Sequence, residues 1–277
     1  MSTLTLGLVQ MPVNEGGFAQ NLERIHRTID QHGPAHDLLL FPETSLSGFA
    51  RREDVYSTAE PLDGPVVRGL IASARKSNTS VMVGLAERTP QAYYNASVLL
   101  GPQGLVASYR KTHLWIAERK LFRAGDALQV VPWKGIRVGM LICYDIEFPE
   151  PARALAHMGA DLIIVANSNM QPYGPTHVRA ASARAQENQV FVAMANRVGQ
   201  GLRDHFAGQS IVVAPNGEPL LCMDEQEGFA TVRIDLGLLA SSRKPYAYLD
   251  DRRVPATGEP ATLADGTRRL LLLPTGN

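Results

Sequence analysis

The sequence predicts an α/β protein built from two mixed sheets flanked by helices, and three observations lead there. Helical and strand-like periodicities alternate along the chain, the arrangement that lays helices over sheets. Several strand-like stretches, such as Asp37–Phe41 and Ile136–Ile142, are short apolar runs of the kind covered on both faces. Turn signals such as Gly101-Pro102-Gln103-Gly104 join neighbouring strand-like runs and add antiparallel pairing.

Taken in order, Leu4–Gln10 alternates as a first strand. Phe18–Gln31 carries helical spacing, with Leu22, Ile25 and Ile29 on one face. Asp37–Phe41 is a buried strand ended by Pro42, and Pro65–Ser77 is a helix with proline near its start. Ser80–Glu87, Asn95–Leu100 and Leu105–Arg110 are three strands joined by short turns. Ile136–Ile142 is a strand, Pro149–Met158 a helix and Asp161–Val165 a strand. His177–Asn188 is a helix, Gln189–Ala195 a strand, and Gly208–Ala214 with Ala230–Ile234 are expected to form a further hairpin. No composition shift marks a second domain, so residues 1–277 are expected to be one. From about residue 241 the chain is rich in Pro, Gly, Arg and Asp, and an irregular tail wrapping a neighbouring surface is expected.

The 277 residues carry 27 basic and 27 acidic side chains, so no field of one sign is available to hold nucleic acid or an acidic membrane. No apolar run approaches the roughly 20 residues of a membrane helix. The first residues lack the basic start of a signal peptide. Cys143 and Cys222 lie far apart and make neither a disulfide framework nor a zinc cluster. A cytoplasmic protein is expected.

Three residues sit just past strand ends, where layered α/β folds gather their sites. Cys143 lies between an apolar strand and a helix start, a place that exposes a thiol beside backbone N–H groups and is expected to favour the thiolate. Taken alone it could equally be a small buried hydrophobe. Glu43, in Leu-Phe-Pro-Glu, could act as a general base or stand in water. Lys111 could serve the site or be a solvated strand end. His113, two residues on, is the other candidate base, though structural service suits it better. Cys222, between strand-like segments, is expected to be a small buried hydrophobe.

Together the blocks F-P-E, Y-R-K-T-H-L and C-Y-D-I-E-F-P-E resemble the three signature blocks of the nitrilase (carbon–nitrogen hydrolase) superfamily, in that family's order. E-R-K-L-F-R-A-G-D, from Glu118, resembles the segment carrying a second active-site glutamate in amidase branches. Bacterial short-chain amidases, including 5-aminopentanamidase-like enzymes, are the most similar subgroup. The resemblance implies a four-layer αββα sandwich and a homodimer or higher homo-oligomer. It also implies a small amide as substrate, a Glu43–Lys111–Cys143 triad with Glu118 beside it, and no metal or organic cofactor. The backbone N–H of Tyr144 would join Lys111 at the oxyanion. Asn167, Asn169 and Tyr173 are expected to line the pocket. The stretch Tyr144–Phe148 lacks an arginine to hold a substrate carboxylate. Asp145 and Glu147 could instead greet a cationic amine, although Asp145 could equally cap the next helix. An N-carbamoyl amidohydrolase, a nitrilase, an acyl transferase and a non-catalytic binding protein are the alternatives.

Overall fold

The computed structural model describes residues 3–48, 52–244, 246–253 and 260–272. The first half runs β1 (Thr3–Gln10), α1 (Phe18–His32), β2 (Leu38–Leu40), α2 (Arg52–Thr58), α3 (Pro65–Lys76), β3 (Ser80–Arg88), β4 (Tyr93–Gly101) and β5 (Gly104–Arg110). It continues through β6 (Ala127–Trp133), β7 (Ile136–Ile142), α4 (Pro149–His157), β8 (Leu162–Asn167), α5 (Gly174–Asn188) and β9 (Phe191–Asn196). Then follow β10 (Val198–Gln200), β11 (His205–Ala207), β12 (Ile211–Val213), β13 (Pro219–Cys222) and β14 (Gly228–Asp235). The chain closes with α6 (Gly237–Arg243), α7 (Tyr248–Asp251), β15 (Ala261–Thr262) and β16 (Arg268–Leu271).

Two mixed sheets stack between helical layers, giving the αββα order. One sheet runs β14-β1-β2-β3-β4-β5 and the other β13-β12-β9-β8-β7-β6-β16-β15. Alternation along each strand decides which side chain goes where. In β2, Leu38 and Leu40 enter the core shared by the two sheets, while Leu39 faces the helical layer with Ile25 and Ile29 of α1 and Val67 and Leu70 of α3. On the far side, Ala152 and Leu155 of α4 and Ala181 and Ala185 of α5 cover the second sheet. β1-β2-β3 and β7-β8-β9 are parallel, so their carboxyl ends point one way within each sheet.

Two expectations are corrected. Gly208–Ala214 and Ala230–Ile234 do not pair. β12 makes its hairpin with β13, whereas β14 crosses to the other sheet and lies antiparallel to β1. The polar alternation of β14, half-buried on one side, suits an edge strand of either sheet, and only the packed core selects one. The stretch from Ser241 is not an irregular tail throughout, because it carries α7 and β16, which pairs with β6. Its backbone there satisfies the edge of the second sheet, a need that composition does not announce. Among the described residues no helix is long and apolar enough to cross a membrane.

Candidate active site

β2 ends at Leu40, and Pro42, which cannot donate to a ladder, turns the chain out. Glu43 follows, fully buried. Its N–H donates to the carbonyl of Asn167 at 3.3 Å, and the Ser168 hydroxyl donates to the Glu43 carbonyl at 3.1 Å, so the carboxyl ends of β2 and β8 are stitched across the two sheets. Thr44 has φ +44°, and the loop crosses Gly84 of β3. A Cβ on Gly84 would stand 2.5 Å from the Thr44 nitrogen and 2.6 Å from the Pro42 carbonyl oxygen. Both are backbone atoms that cannot swing aside, so Gly84→Ala must displace Glu43. Misplacing a catalytic group by about 1 Å can cost on the order of 100-fold in rate. On the role expected of Glu43, Gly84→Ala lowers kcat by that order while the protein still folds, as read by steady-state turnover alongside a thermal melt.

Lys111 leaves β5 with its N–H bonded to the Asn95 carbonyl of β4 at 2.8 Å. Glu118 opens a one-turn 3-10 helix, and its Oε2 accepts from the Trp115 backbone N–H at 2.7 Å, closing the loop upon itself. Lys111 Nζ sits 2.7 Å from Glu43 Oε1 and 2.7 Å from Glu118 Oε2. These three residues are at most 3% exposed. Ions removed from water this completely survive only if paired. Burial acts against the Lys111 ammonium, but Glu43, Glu118 and Cys143 outweigh it and hold its pKa well above the ordinary lysine value. Burial raises the Glu43 pKa above the usual carboxylate value; Lys111 pulls it down and Glu118 pushes it up.

Cys143 follows the last residue of β7 and begins a 3-10 helix, Cys143–Glu147, at φ +46°. A non-glycine residue held in this region carries strain that the surroundings must enforce. Asp145 supplies much of that enforcement. Fully buried, it accepts from the N–H of Ile142 at 3.1 Å, the Tyr109 hydroxyl at 2.8 Å, the Thr112 hydroxyl at 2.8 Å and the His113 N–H at 2.9 Å. The loops that carry Cys143 and Lys111 are thereby fastened to one carboxylate. Asp145 thus caps the turn of the cysteine rather than α4, and its oxygens are spent inside the protein, not on a ligand. His113 completes the bundle through Nδ1, 2.8 Å from Asp145 Oδ1, and stacks on Phe148.

The expectation of a ready thiolate is corrected. Burial and the Glu43 carboxylate push the Cys143 thiol well above the ordinary cysteine pKa, and Lys111 with a Ser168 backbone hydrogen bond only partly oppose them. A thiol whose ionisation is disfavoured in this way calls for a neighbouring base. Cys222 is also corrected, from buried to exposed on β13.

A cavity of about 750 Å³ opens above Cys143. Lys111, Glu118, Cys143, Tyr144, Glu147, Asn169 and Tyr173 line it, together with Trp115, Ser168, His177 and Phe206. Glu43 lies behind Lys111. Asn167 is not on the wall as expected. It is fully buried, and its Oδ1 is 3.0 Å from His177 Nδ1, whose Nε2 is 2.9 Å from Glu147 Oε1. Asn167 therefore fixes the ring that fixes Glu147, a placement set by its inward position at the end of β8. Asn169 turns its amide to the Tyr173 carbonyl at 2.7 Å and shapes the loop below the pocket. Sequence reasoning passed over Asn95, Trp115, His177 and the buried pair Arg197–Glu15, 2.7 Å apart. Asn95 had a signal, since an amide interrupts an otherwise apolar strand. The others depend on contacts between distant segments.

The carbon–nitrogen hydrolase family matches residues 5–244. An (R)-stereoselective amidase from Pseudomonas sp is 46% identical over 270 residues, covering 97% of this chain and 98% of that protein. The Xanthomonas campestris protein XC1258, a superfamily member with an arsenic adduct in its active site, superposes with a TM-score of 0.86 at 28% identity, over 93% of this chain and all of that one. A mutant amidase from Nesterenkonia sp. AN1, carrying the acetamide moiety of fluoroacetamide on its active-site cysteine, superposes with a TM-score of 0.78 at 26% identity, over 90% of this chain and 94% of that one. With the signature blocks folded into one buried cluster and the match running almost end to end, the chain belongs to the carbon–nitrogen hydrolase family, within the nitrilase superfamily.

Proposed function

We propose that this protein is an amidase that hydrolyses a small aliphatic amide to its carboxylic acid and ammonia through a Cys143 thioester. The observation that carries this is the buried Glu43–Lys111–Glu118 cluster beside a positive-φ cysteine at the floor of the pocket. Glu43 takes the thiol proton as Sγ attacks the amide carbon. The oxyanion is held by Lys111 Nζ and the Tyr144 N–H, which in the first turn of its helix has no partner inside that helix. Glu43 then gives its proton to the departing nitrogen, the C–N bond breaks, and ammonia leaves a thioester. Water, deprotonated by Glu43, attacks the thioester carbon. The C–S bond breaks, the acid departs and the thiol regains its proton. Every atom consumed comes from amide and water.

Glu118 lines the pocket and is matched to the amide NH2, which it orients by accepting a hydrogen bond. A nitrile offers no hydrogen there. Glu147, on the pocket wall among Trp115, Tyr144 and Tyr173, supports a preference for amides bearing an amine. Two free thiols, the one a nucleophile, suit a reducing cytoplasm. The superfamily resemblance supports one hydrolase domain in a homodimer or larger homo-oligomer.

The test is ammonia release from propionamide, butyramide, 5-aminopentanamide, glutaramate, N-carbamoyl-β-alanine and butyronitrile. Turnover of the plain and amine-bearing amides is expected. Release from only the carbamoyl compound or the nitrile would keep the cysteine and replace the substrate class. Glu118→Gln is expected to lower amide kcat/KM at least about 100-fold; a near-normal value removes Glu118 from the chemistry.

A further inference from the structure

Resting on the amidase assignment, we infer that Asn95 is the positioning residue of the catalytic cluster: its amide holds Glu43 and Glu118 together and leaves one oxygen of Glu43 as the base. Asn95 is 1% exposed, on β4 between β3 and the edge strand β5 of the first sheet. Its Nδ2 donates to Glu43 Oε1 at 2.7 Å and to Glu118 Oε1 at 2.5 Å. An amide nitrogen has two hydrogens, so both are used on the two carboxylates. The opposite amide orientation would set Oδ1 against two anionic oxygens, so the chemistry of the neighbours decides which atom is nitrogen. The same residue accepts the Lys111 backbone N–H. All three charged groups of the cluster are therefore referred to one residue of β4.

Two consequences follow from this geometry. Glu43 Oε1 receives both Lys111 and Asn95, whereas Glu43 Oε2 is buried with no hydrogen-bond partner among the described residues. Oε2 is then the oxygen with a lone pair to spare for a proton. Two carboxylates also face one ammonium, an imbalance of one negative charge in a dry place. Two N–H dipoles directed at them favour the ionised forms that the base role requires. Asn95 Oδ1 has no partner among the described residues, so the amide is not at its best as a packing element. A leucine-like side chain would serve the strand without leaving an oxygen unsatisfied.

The test is the alkylation of Cys143 by methyl vinyl ketone, a thiol reagent with no amide, as a function of pH, followed by peptide mass spectrometry. It reports the base and the thiol without any amide being turned over, so it stands apart from the substrate panel. The exposed Cys222 is the reference in the same tube. Asn95→Asp keeps the shape and removes the donors; Asn95→Ser is smaller and retains one donor. Both are expected to move the acidic limb of Cys143 alkylation to higher pH, Asn95→Asp the further, by about one unit or more, and to slow it about tenfold below that limb. Cys222 should react as in the wild type. A folded variant whose limb stays at the wild-type position overturns the inference, even if its amidase rate falls. If Asn95→Asp does not fold, Asn95→Ser decides by the same criterion. Cys143 limbs displaced while the substrate panel gives no amide turnover would retain the positioning role and reject the amidase assignment.

Discussion

Cys143→Ala is expected to abolish amide turnover and leave a folded protein. The lost thiol is the proposed nucleophile, and removal of a nucleophile typically costs at least about 10⁴-fold. The fold should tolerate the change. Alanine at φ +46° is strained much as cysteine is, and the loop is held by Asp145, not by the sulfur. Cys222→Ala is the counterpart. Its thiol is exposed on β13, 3.8 Å from the neighbouring Met223 carbonyl, so rate and melting temperature should match the wild type. Ammonia release and circular dichroism melts on both variants decide the matter. Activity surviving in Cys143→Ala and lost in Cys222→Ala would move the nucleophile.

Lys111→Met should damage both catalysis and stability. It removes the oxyanion partner and leaves Glu43 and Glu118 buried with no cation between them. Breaking a buried pair by deleting one partner costs about 3–5 kcal/mol. The loss carries a pH signature whose sign is fixed. The Glu43 pKa is already raised in the folded protein, so protonation stabilises the fold. That contribution is fully present below the unfolded carboxyl pKa and is lost as pH rises through the folded value. Without the ammonium the folded value rises further, and the window of loss extends upward. The stability deficit of Lys111→Met should be greatest near neutrality and shrink on acidification toward about pH 5. Denaturant unfolding of wild type and variant at several pH values measures it. A deficit that grows on acidification would mean that the two carboxylates are not the groups left uncompensated.

The αββα frame was largely legible because its parallel strands are continuous apolar runs and its helices carry apolar stripes such as Ile25 and Ile29. β6, β13 and β16 were not. They mix polar and apolar residues toward the two ends of the second sheet, and only pairing with strands already in place makes them strands. The candidate site was legible as residue types at strand ends. Its ionisation was not, because burial is a property of the packed whole. The sequence suggested a thiolate at Cys143, whereas burial and the neighbouring Glu43 push its pKa up.

From the sequence alone come the layered class and the strand ends that present Glu43, Lys111 and Cys143, because each follows from local periodicity, while Glu118 came from the resemblance of its block to the second-glutamate segment of amidase branches. Tertiary structure decided which sheet receives β14, that Asp145 is spent on the loops of Cys143 and Lys111, that Asn167 stands behind the pocket, and that Asn95 joins two carboxylates. Those facts rest on groups far apart in the chain, whose hydrogen bonds and desolvation exist only once the two sheets have closed on one another.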